Sequence, residues 1–244
     1  MQPGDDLAAL VLAAILRQGL TLQDGDVVVL AQKVVSKAEG RYRSLSEVMP
    51  DARALELSAV TEKDPRLVQL ILDESNEVLR ARPGLLIVEH RLGFVSANAG
   101  IDHSNLPGLD EDAYLLLPQD PDASADRLRS ALEQASGAQF GDASIGVLII
   151  DSHGRAWREG TLGTTIGLSG LPGLVDLRGT PDLAGRPLRV TQLAAADELA
   201  AAASLAMGQA AEGCPAVHVR GFPYALREAR LDELLRPRER DEFR

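Results

Sequence analysis

One cysteine, Cys214, in 244 residues excludes an internal disulfide and a cysteine-based zinc site. Aromatic residues make up only 3%, so the core is expected to be aliphatic. The same scarcity argues against a stacking platform for single-stranded nucleic acid, which needs exposed rings. No uninterrupted apolar run approaches the ~18 residues of a membrane-spanning helix. The chain opens with Asp5 and Asp6, where a secretory leader would carry basic residues ahead of an apolar stretch. Lysine is also scarce: Lys33, Lys37 and Lys63 stand against 22 arginines. A position that keeps lysine is a candidate for a compact, flexible point charge, although GC-rich coding would give the same bias. Familiar signatures are missing too: there is no G-x-x-x-x-G-K-[ST], no G-x-G-x-x-G, no H-E-x-x-H and no G-x-S-x-G. The four histidines, His90, His103, His153 and His218, are scattered.

What remains is a globular composition, 45% apolar, with a net charge of −11. An acidic surface repels phosphate backbones and anionic lipids, so neither nucleic acid nor membrane is an expected partner. An anionic small molecule is compatible if a local basic site and a metal receive it. The expected compartment is the cytoplasm.

Hydrophobic periodicity and turn residues predict helices over residues 5–17, 64–80, 124–135 and 197–209. They predict strands over 27–31, 85–89, 94–97, 114–117, 145–150, 188–193 and 215–220. The extended run after residue 31 is expected to continue through Lys37. Strands and helices mix without the strict alternation of a doubly wound sheet. The predicted class is α+β, with mixed or antiparallel sheets and packed helices, in one domain over residues 1–244 that forms one lobe or two.

Five segments could carry chemistry. In an extended 33–41, Lys33, Val35 and Lys37 would share one face and, with Ser36 and Arg41, form a cradle for a triphosphate. A solvated edge strand with protective lysines is the competing reading. Residues 98–105 combine small residues with Asp102 and Asn105, which suits close approach of a ligand, or simply an Asx-type turn. Asp151 at the end of the most apolar strand could pair with Asp102 around Mg²⁺ or Mn²⁺. Arg155 and Arg158 could neutralise developing phosphate charge; strand-end capping by surface arginines is the alternative. Residues 207–213 end an Ala-rich helix with side chains placed to meet a ligand. Gly167 and Gly170 could form a phosphate loop or a plain turn. Lysines, arginines, hard-metal carboxylates and glycine turns together suit phosphoryl transfer.

Several of these segments follow one another in a familiar order: GDVVVLAQKVVSKAEGR (25–41), KDPR (63–66), ANAGIDHSN (97–105), LPQDPDASA (117–125), DSHGRAWR (151–158), residues 190–207 and VRG (219–221). In this the chain resembles the coenzyme F420-0:L-glutamate ligases over nearly its whole length. The resemblance implies an unusual α+β ligase fold forming an intertwined homodimer. It implies GTP as co-substrate without a Walker loop, Mn²⁺ or Mg²⁺, and K⁺. It also implies joining of L-glutamate to the lactyl carboxylate of a deazaflavin coenzyme precursor, with further γ-linked addition. Carried over position by position, Ser36, Lys37, Arg41 and Asn105 are nucleotide contacts. So is the stretch Met207, Gly208, Gln209, Ala210, Ala211, Glu212, Gly213 and Cys214. Asp102 and Asp151 match metal ligands, while Ser152 and Gln209 match a second metal. Lys37, Asp102, Asp151 and Arg155 are the candidate catalytic residues. Three positions depart from the pattern: the family's N-terminal strand ahead of residue 3, a lysine where Arg41 stands, and the segment EGTLGTT (159–165). The last keeps open a ligase for a modified deazaflavin. A non-catalytic nucleotide or coenzyme binder and a plain phosphohydrolase are the other readings.

Overall fold

The computed structural model describes residues 1–103, 112–137 and 144–242. The described elements run α1 (Leu7–Arg17), β1 (Val27–Ala31), α2 (Gln32–Ala38), β2 (Tyr42–Ser44), α3 (Ala52–Thr61) and α4 (Pro65–Asp73). Then come β3 (Ser75–Arg82), β4 (Leu85–His90), β5 (Val95–Ala97), β6 (Ala113–Leu115) and α5 (Pro121–Ser136). The order closes with β7 (Gly146–Arg155), β8 (Arg158–Ser169), β9 (Val175–Asp176), β10 (Gln192–Leu193), α6 (Ala195–Met207) and β11 (Ala216–Val219).

The main sheet has the order β11-β1-β7-β8, with β1 and β7 parallel and the outer pairs antiparallel. Alternation along β1 explains its two covered faces. Val28 and Leu30 join a core with Leu7, Val11 and Ile15 of α1 and Leu132 of α5. Val27 and Val29 pack instead with Ala196, Ala200 and Ala203 of α6. A second sheet, β3-β4-β5, packs on α3 and α4 through Leu57, Val68, Ile71, Leu86 and Val88. The short β2–β6 pair carries a separate small core of Leu45, Leu70 and Leu116. The class is α+β with mixed and antiparallel sheets, as the sequence predicts.

Glycines set how closely helices approach β8. A Cβ on Gly163 would lie 2.5 Å from the Ala200 carbonyl oxygen of α6, and one on Gly167 would lie 2.5 Å from Pro121 at the start of α5. The free edge of β8 is closed by carboxylates: Asp197 accepts from Thr165 N (2.9 Å) and Asp122 accepts from Leu168 N (2.9 Å). Both acids come from first turns of helices, so one contact satisfies an edge donor and positions the helix.

Five predicted elements differ. The strand expected over 188–193 shortens to the two residues of β10, Gln192–Leu193. Residues 33–37 are not extended: α2 begins directly after β1, so Lys33 and Lys37 share a face as an i,i+4 helical pair. The helix starting at Asp64 stops at Asp73, and the polar alternation after it becomes β3. Helix α5 begins earlier than expected, capped by Asp120 with Pro121 at its first turn, and Ser124 lies inside it. Strand β7 does not end at Ile150 but continues through Arg155, and the Gly/Thr-rich stretch is its antiparallel partner β8, not a phosphate loop.

Candidate functional site

The parallel pair β1 and β7 brings two chain crossings to one end of the sheet. There Ala31 turns into α2, and β7 runs on from Ile150 into polar residues. A cleft of about 720 Å³ opens at this end, which is where parallel strands commonly present ligands. Its walls are α2 (Gln32, Lys33, Lys37), the segment after β5 (Gly100, Ile101, Asp102), β7 (Asp151, Ser152, His153, Gly154), and the end of α6 with the loop after it (residues 207–215).

The wall carrying Asp102 is held rigidly. Asn98, Ala99 and Gly100 all have left-handed φ values of 52°, 53° and 65°. Such conformations are costly for non-glycine residues and persist where surroundings dictate them. Ala99 is buried, and a Cβ on Gly100 would lie 2.8 Å from Leu117 Cδ1. Asp102 itself is pinned by two backbone hydrogen bonds with Leu115, N to O at 3.0 Å and O from N at 2.8 Å. Its carboxylate receives Lys33 Nζ at 2.7 Å, with both side chains about a quarter exposed at 27% and 25%. Lys37 lies one helical turn on. Burial lowers its pKa, the Lys33 charge lowers it further, and the Asp102 carboxylate opposes both.

Strand β7 supplies two different faces. Asp151 and His153 point one way, with His153 Nε2 3.0 Å from Asp151 Oδ2. Ser152 points the other way, and its hydroxyl donates to Gln209 Oε1 at 2.7 Å. Gln209 in turn donates through Nε2 to Ser204 Oγ of α6 at 2.7 Å. The loop after α6 is shaped by Gly208, whose φ of 74° and contact with Glu212 leave no room for a Cβ. Glu212 accepts from Ala210 N at 2.8 Å.

The structure therefore gathers Lys33, Lys37, Asp102, Asp151, Ser152 and residues 207–214 around one cleft. It does not bring every predicted residue there. Ser36 is fully buried and donates to Gln32 Oε1 at 2.9 Å. Arg41 turns away: Nε donates to the Leu117 carbonyl at 2.8 Å, and Nη2 lies 3.3 Å from both Glu74 oxygens. Arg155 is exposed beyond the cleft, with Nη1 3.2 Å from the Gly160 carbonyl. Gly167 lies inside β8, and Gly170 follows it against Arg129, so neither reaches the cleft. Asn105 lies outside the described residues. Gln32 and His153 line the cleft without a role assigned from sequence. The period of two along β7 was the available signal for His153, since it places residues 151 and 153 on one face.

Behind the cleft, Glu74 forms a half-hidden hub with Arg41, with Arg91 Nε at 2.9 Å, and with His90 Nε2 at 3.7 Å. Burial would raise its pKa, but His90, Arg91 and Arg41 outweigh it and hold the carboxyl at about 2. His90 is fully buried, accepts from Leu92 N through Nδ1, and stacks on Phe94 at 5.0 Å. Phe94 contacts His153 at 5.2 Å, so this hub is packed continuously onto the cleft wall.

Among the described residues no group of three or more His, Cys, Asp or Glu side chains could hold a metal. The oxygen donors that line the cleft are hard: two carboxylates, a hydroxyl and an amide carbonyl. Such a set fits Mg²⁺ or Mn²⁺, which bind through one or two carboxylates and complete their shells with water and phosphate oxygens.

The geometry defines an α+β protein with a cleft lined by Lys33, Lys37, Asp102 and Asp151. The chain belongs to the F420-0:gamma-glutamyl ligase family, whose model matches residues 1–221. It is similar to the coenzyme F420:L-glutamate ligase of Methanothermobacter thermautotrophicus, 47% identical over 243 residues, covering 99% of this chain and 93% of that one. The coenzyme F420:L-glutamate ligase of Methanopyrus kandleri is 45% identical over 250 residues, covering 100% and 93%. That of Archaeoglobus fulgidus is 43% identical over 244 residues, covering 100% and 92%.

Proposed function

We propose that this chain ligates L-glutamate to coenzyme F420-0 and uses GTP to activate the acceptor carboxylate. The observation that carries this reading is the convergence of Lys33, Lys37, Asp102, Asp151, Ser152 and Gln209 on one cleft. Relatives that match nearly the whole chain bear the corresponding name.

Carboxylate and ammonium do not condense favourably in water, so activation is required. The acceptor carboxylate oxygen attacks the γ-phosphorus of GTP, the bond to the β-phosphate oxygen breaks, and GDP leaves. The glutamate amine then attacks the resulting acyl phosphate carbon. The carbon–oxygen bond to phosphate breaks, phosphate leaves, and the amine gives up its proton to yield an amide. Lys33 and Lys37 lie on one face of α2 and balance phosphate charge as point cations. The turn of residues 207–213 follows the nucleotide. Arg41 braces α2 from behind through Leu117 and Glu74. Asp102 and Asp151 would hold one divalent ion, and Ser152 with Gln209 a second. Bound there, such ions supply charge neutralisation on the phosphates. Positioning and charge balance are expected to supply most of the rate. In this reading K⁺ assists, further glutamates join by γ-linkage, and two copies form the working homodimer.

The test is mass spectrometry of purified protein with F420-0, L-glutamate, GTP and Mn²⁺. Added glutamyl mass that vanishes without GTP supports the reading. GTP hydrolysis indifferent to glutamate and acceptor would sink it in favour of a phosphohydrolase.

A further inference from the structure

His153 stands in the cleft wall beside Asp151. The period of two along β7 puts both side chains on one face, with His153 Nε2 3.0 Å from Asp151 Oδ2. A carboxylate oxygen only accepts, so Nε2 carries the hydrogen and donates it. The two side chains are 10% and 17% exposed, so the pair is largely withdrawn from solvent. A hydrogen bond in such a place restricts the rotation of the carboxylate that receives it.

The imidazole is itself held from behind. Phe94 lies against it with ring centres 5.2 Å apart and planes tilted by 43°. Phe94 packs in turn against both hydrophobic cores that cover the main sheet. His90 stacks on Phe94 at 5.0 Å, within 4° of parallel. His90 is fully buried, and its ring is oriented by Leu92 N, which donates to Nδ1 at 3.0 Å. Its Nε2 lies 3.7 Å from Glu74 Oε2. Three rings, from the end of β4, the approach to β5 and the middle of β7, thus run from the Glu74 hub to Asp151. An apolar side chain at position 153 would pack on Phe94 equally well. What the imidazole adds is a donor aimed at Asp151.

We propose that His153 is a positioning residue for the ligation. Its Nε2–H grips Oδ2 of Asp151, and the His90–Phe94–His153 stack holds that grip in one direction. The carboxylate then meets a divalent ion already oriented. Groups that hydrogen-bond a metal-ligating carboxylate commonly carry about 10–100-fold of the metal affinity. This inference rests on the ligase reading and adds to it the residue that prepares one of the ion's ligands.

Mn²⁺ binding is measurable without turnover, from loss of the free-ion electron paramagnetic resonance signal as protein with GDP is titrated. His153→Phe keeps a ring against Phe94 and removes the donor. It is expected to weaken Mn²⁺ binding about tenfold or more. The KM for Mn²⁺ should rise in parallel, and kcat at saturating Mn²⁺ should fall far less than that KM rises. His153→Gln, whose amide N–H reaches toward the same oxygen, is expected to recover most of the affinity. His153→Ala removes the donor without placing a second apolar ring, and should show the same loss as the Phe variant. Unchanged Mn²⁺ affinity in the Phe and Ala variants overturns the proposal. A Gln variant as weak as the Phe variant also overturns it, because the hydrogen bond would then not be the cause. Asp151→Asn that binds Mn²⁺ as tightly as wild type removes its foundation. A wild type that binds Mn²⁺ through Asp151 yet adds no glutamate brings down the ligase reading and leaves the grip on Asp151 standing.

Discussion

At the scale of single residues, charge pairs decide what the cleft can hold. Lys33 and Asp102 meet at 2.7 Å while both remain partly exposed. A partly exposed pair adds modest stability, and in the proposed reading its carboxylate also faces the metal. Asp102→Asn is therefore expected to lower glutamate ligation on the order of 100-fold, with a small change in Tm. Turnover assays at saturating Mn²⁺ and a thermal melt would check both halves. Glu74 behaves in the opposite way. Its carboxyl is lowered from 4.5 to about 2, so the native state favours the charged form. The stability this contributes is fully present above about pH 4.5 and is lost as pH falls toward 2. Glu74→Gln is expected to cost on the order of 3 kcal/mol at pH 7, because Arg41 and Arg91 lose their shared partner. The variant's stability should also fall less between pH 4.5 and 2 than wild type's, which denaturant titrations across that range would reveal. Little of this hub was legible in the chain. Arg41, Glu74 and Arg91 lie far apart in sequence, and only the fold shows that the Arg41 guanidinium faces inward.

At the scale of elements, two glycines control helix placement on β8. Alanine at Gly163 or Gly167 would put a Cβ 2.5 Å from helix backbone atoms. Each substitution is expected to cost about 1–3 kcal/mol, read as a lower midpoint in urea. Gly163→Ala should also impair activity, since displacing α6 moves Ser204 and Gln209, which hold Ser152 from the other wall. Strand β1, strand β11 and α6 were readable because alternation or alanine-rich periodicity continued through them. Helix α2 was not, since Lys33-Val34-Val35-Ser36-Lys37 is rich in β-branched residues and its seven-residue helix is set by tertiary packing. The break between α4 and β3 was hidden for a related reason. Val78 keeps helical spacing from Leu67, Leu70 and Ile71, and only pairing of β3 with β4 decides the matter.

At the scale of the whole molecule, the cleft sits where separately packed parts of the chain meet. The main sheet provides β7 and the end of β1, and the segment after β5 provides Asp102. A ligand that bridges these walls binds only the folded state, so GDP with Mn²⁺ is expected to raise the melting temperature. At a hundredfold excess over Kd the gain would be about 2.7 kcal/mol. Calorimetry with and without nucleotide would measure it, and Asp151→Asn should reduce the shift. No helix among the described residues is long and apolar enough to cross a membrane. The fold class was legible from the irregular mix of elements, and the cleft from its motifs. Their meeting point was not, because β7 had to run past Ile150 before Asp151 and Ser152 could face different walls.

That continuation has a consequence for how the chain can vary over time. Asp151 and Ser152 owe their opposite directions to a count along one strand, and β7 is anchored at its other end by five paired positions with β1. A point substitution in β7 leaves that count intact. Loss or gain of one residue between Ile150 and Asp151 would exchange carboxylate and hydroxyl between the walls in a single event. Insertions and deletions should therefore be tolerated at the hairpin turn and excluded from the strand, so that the tip can drift in length while Asp151 and Ser152 keep their parity.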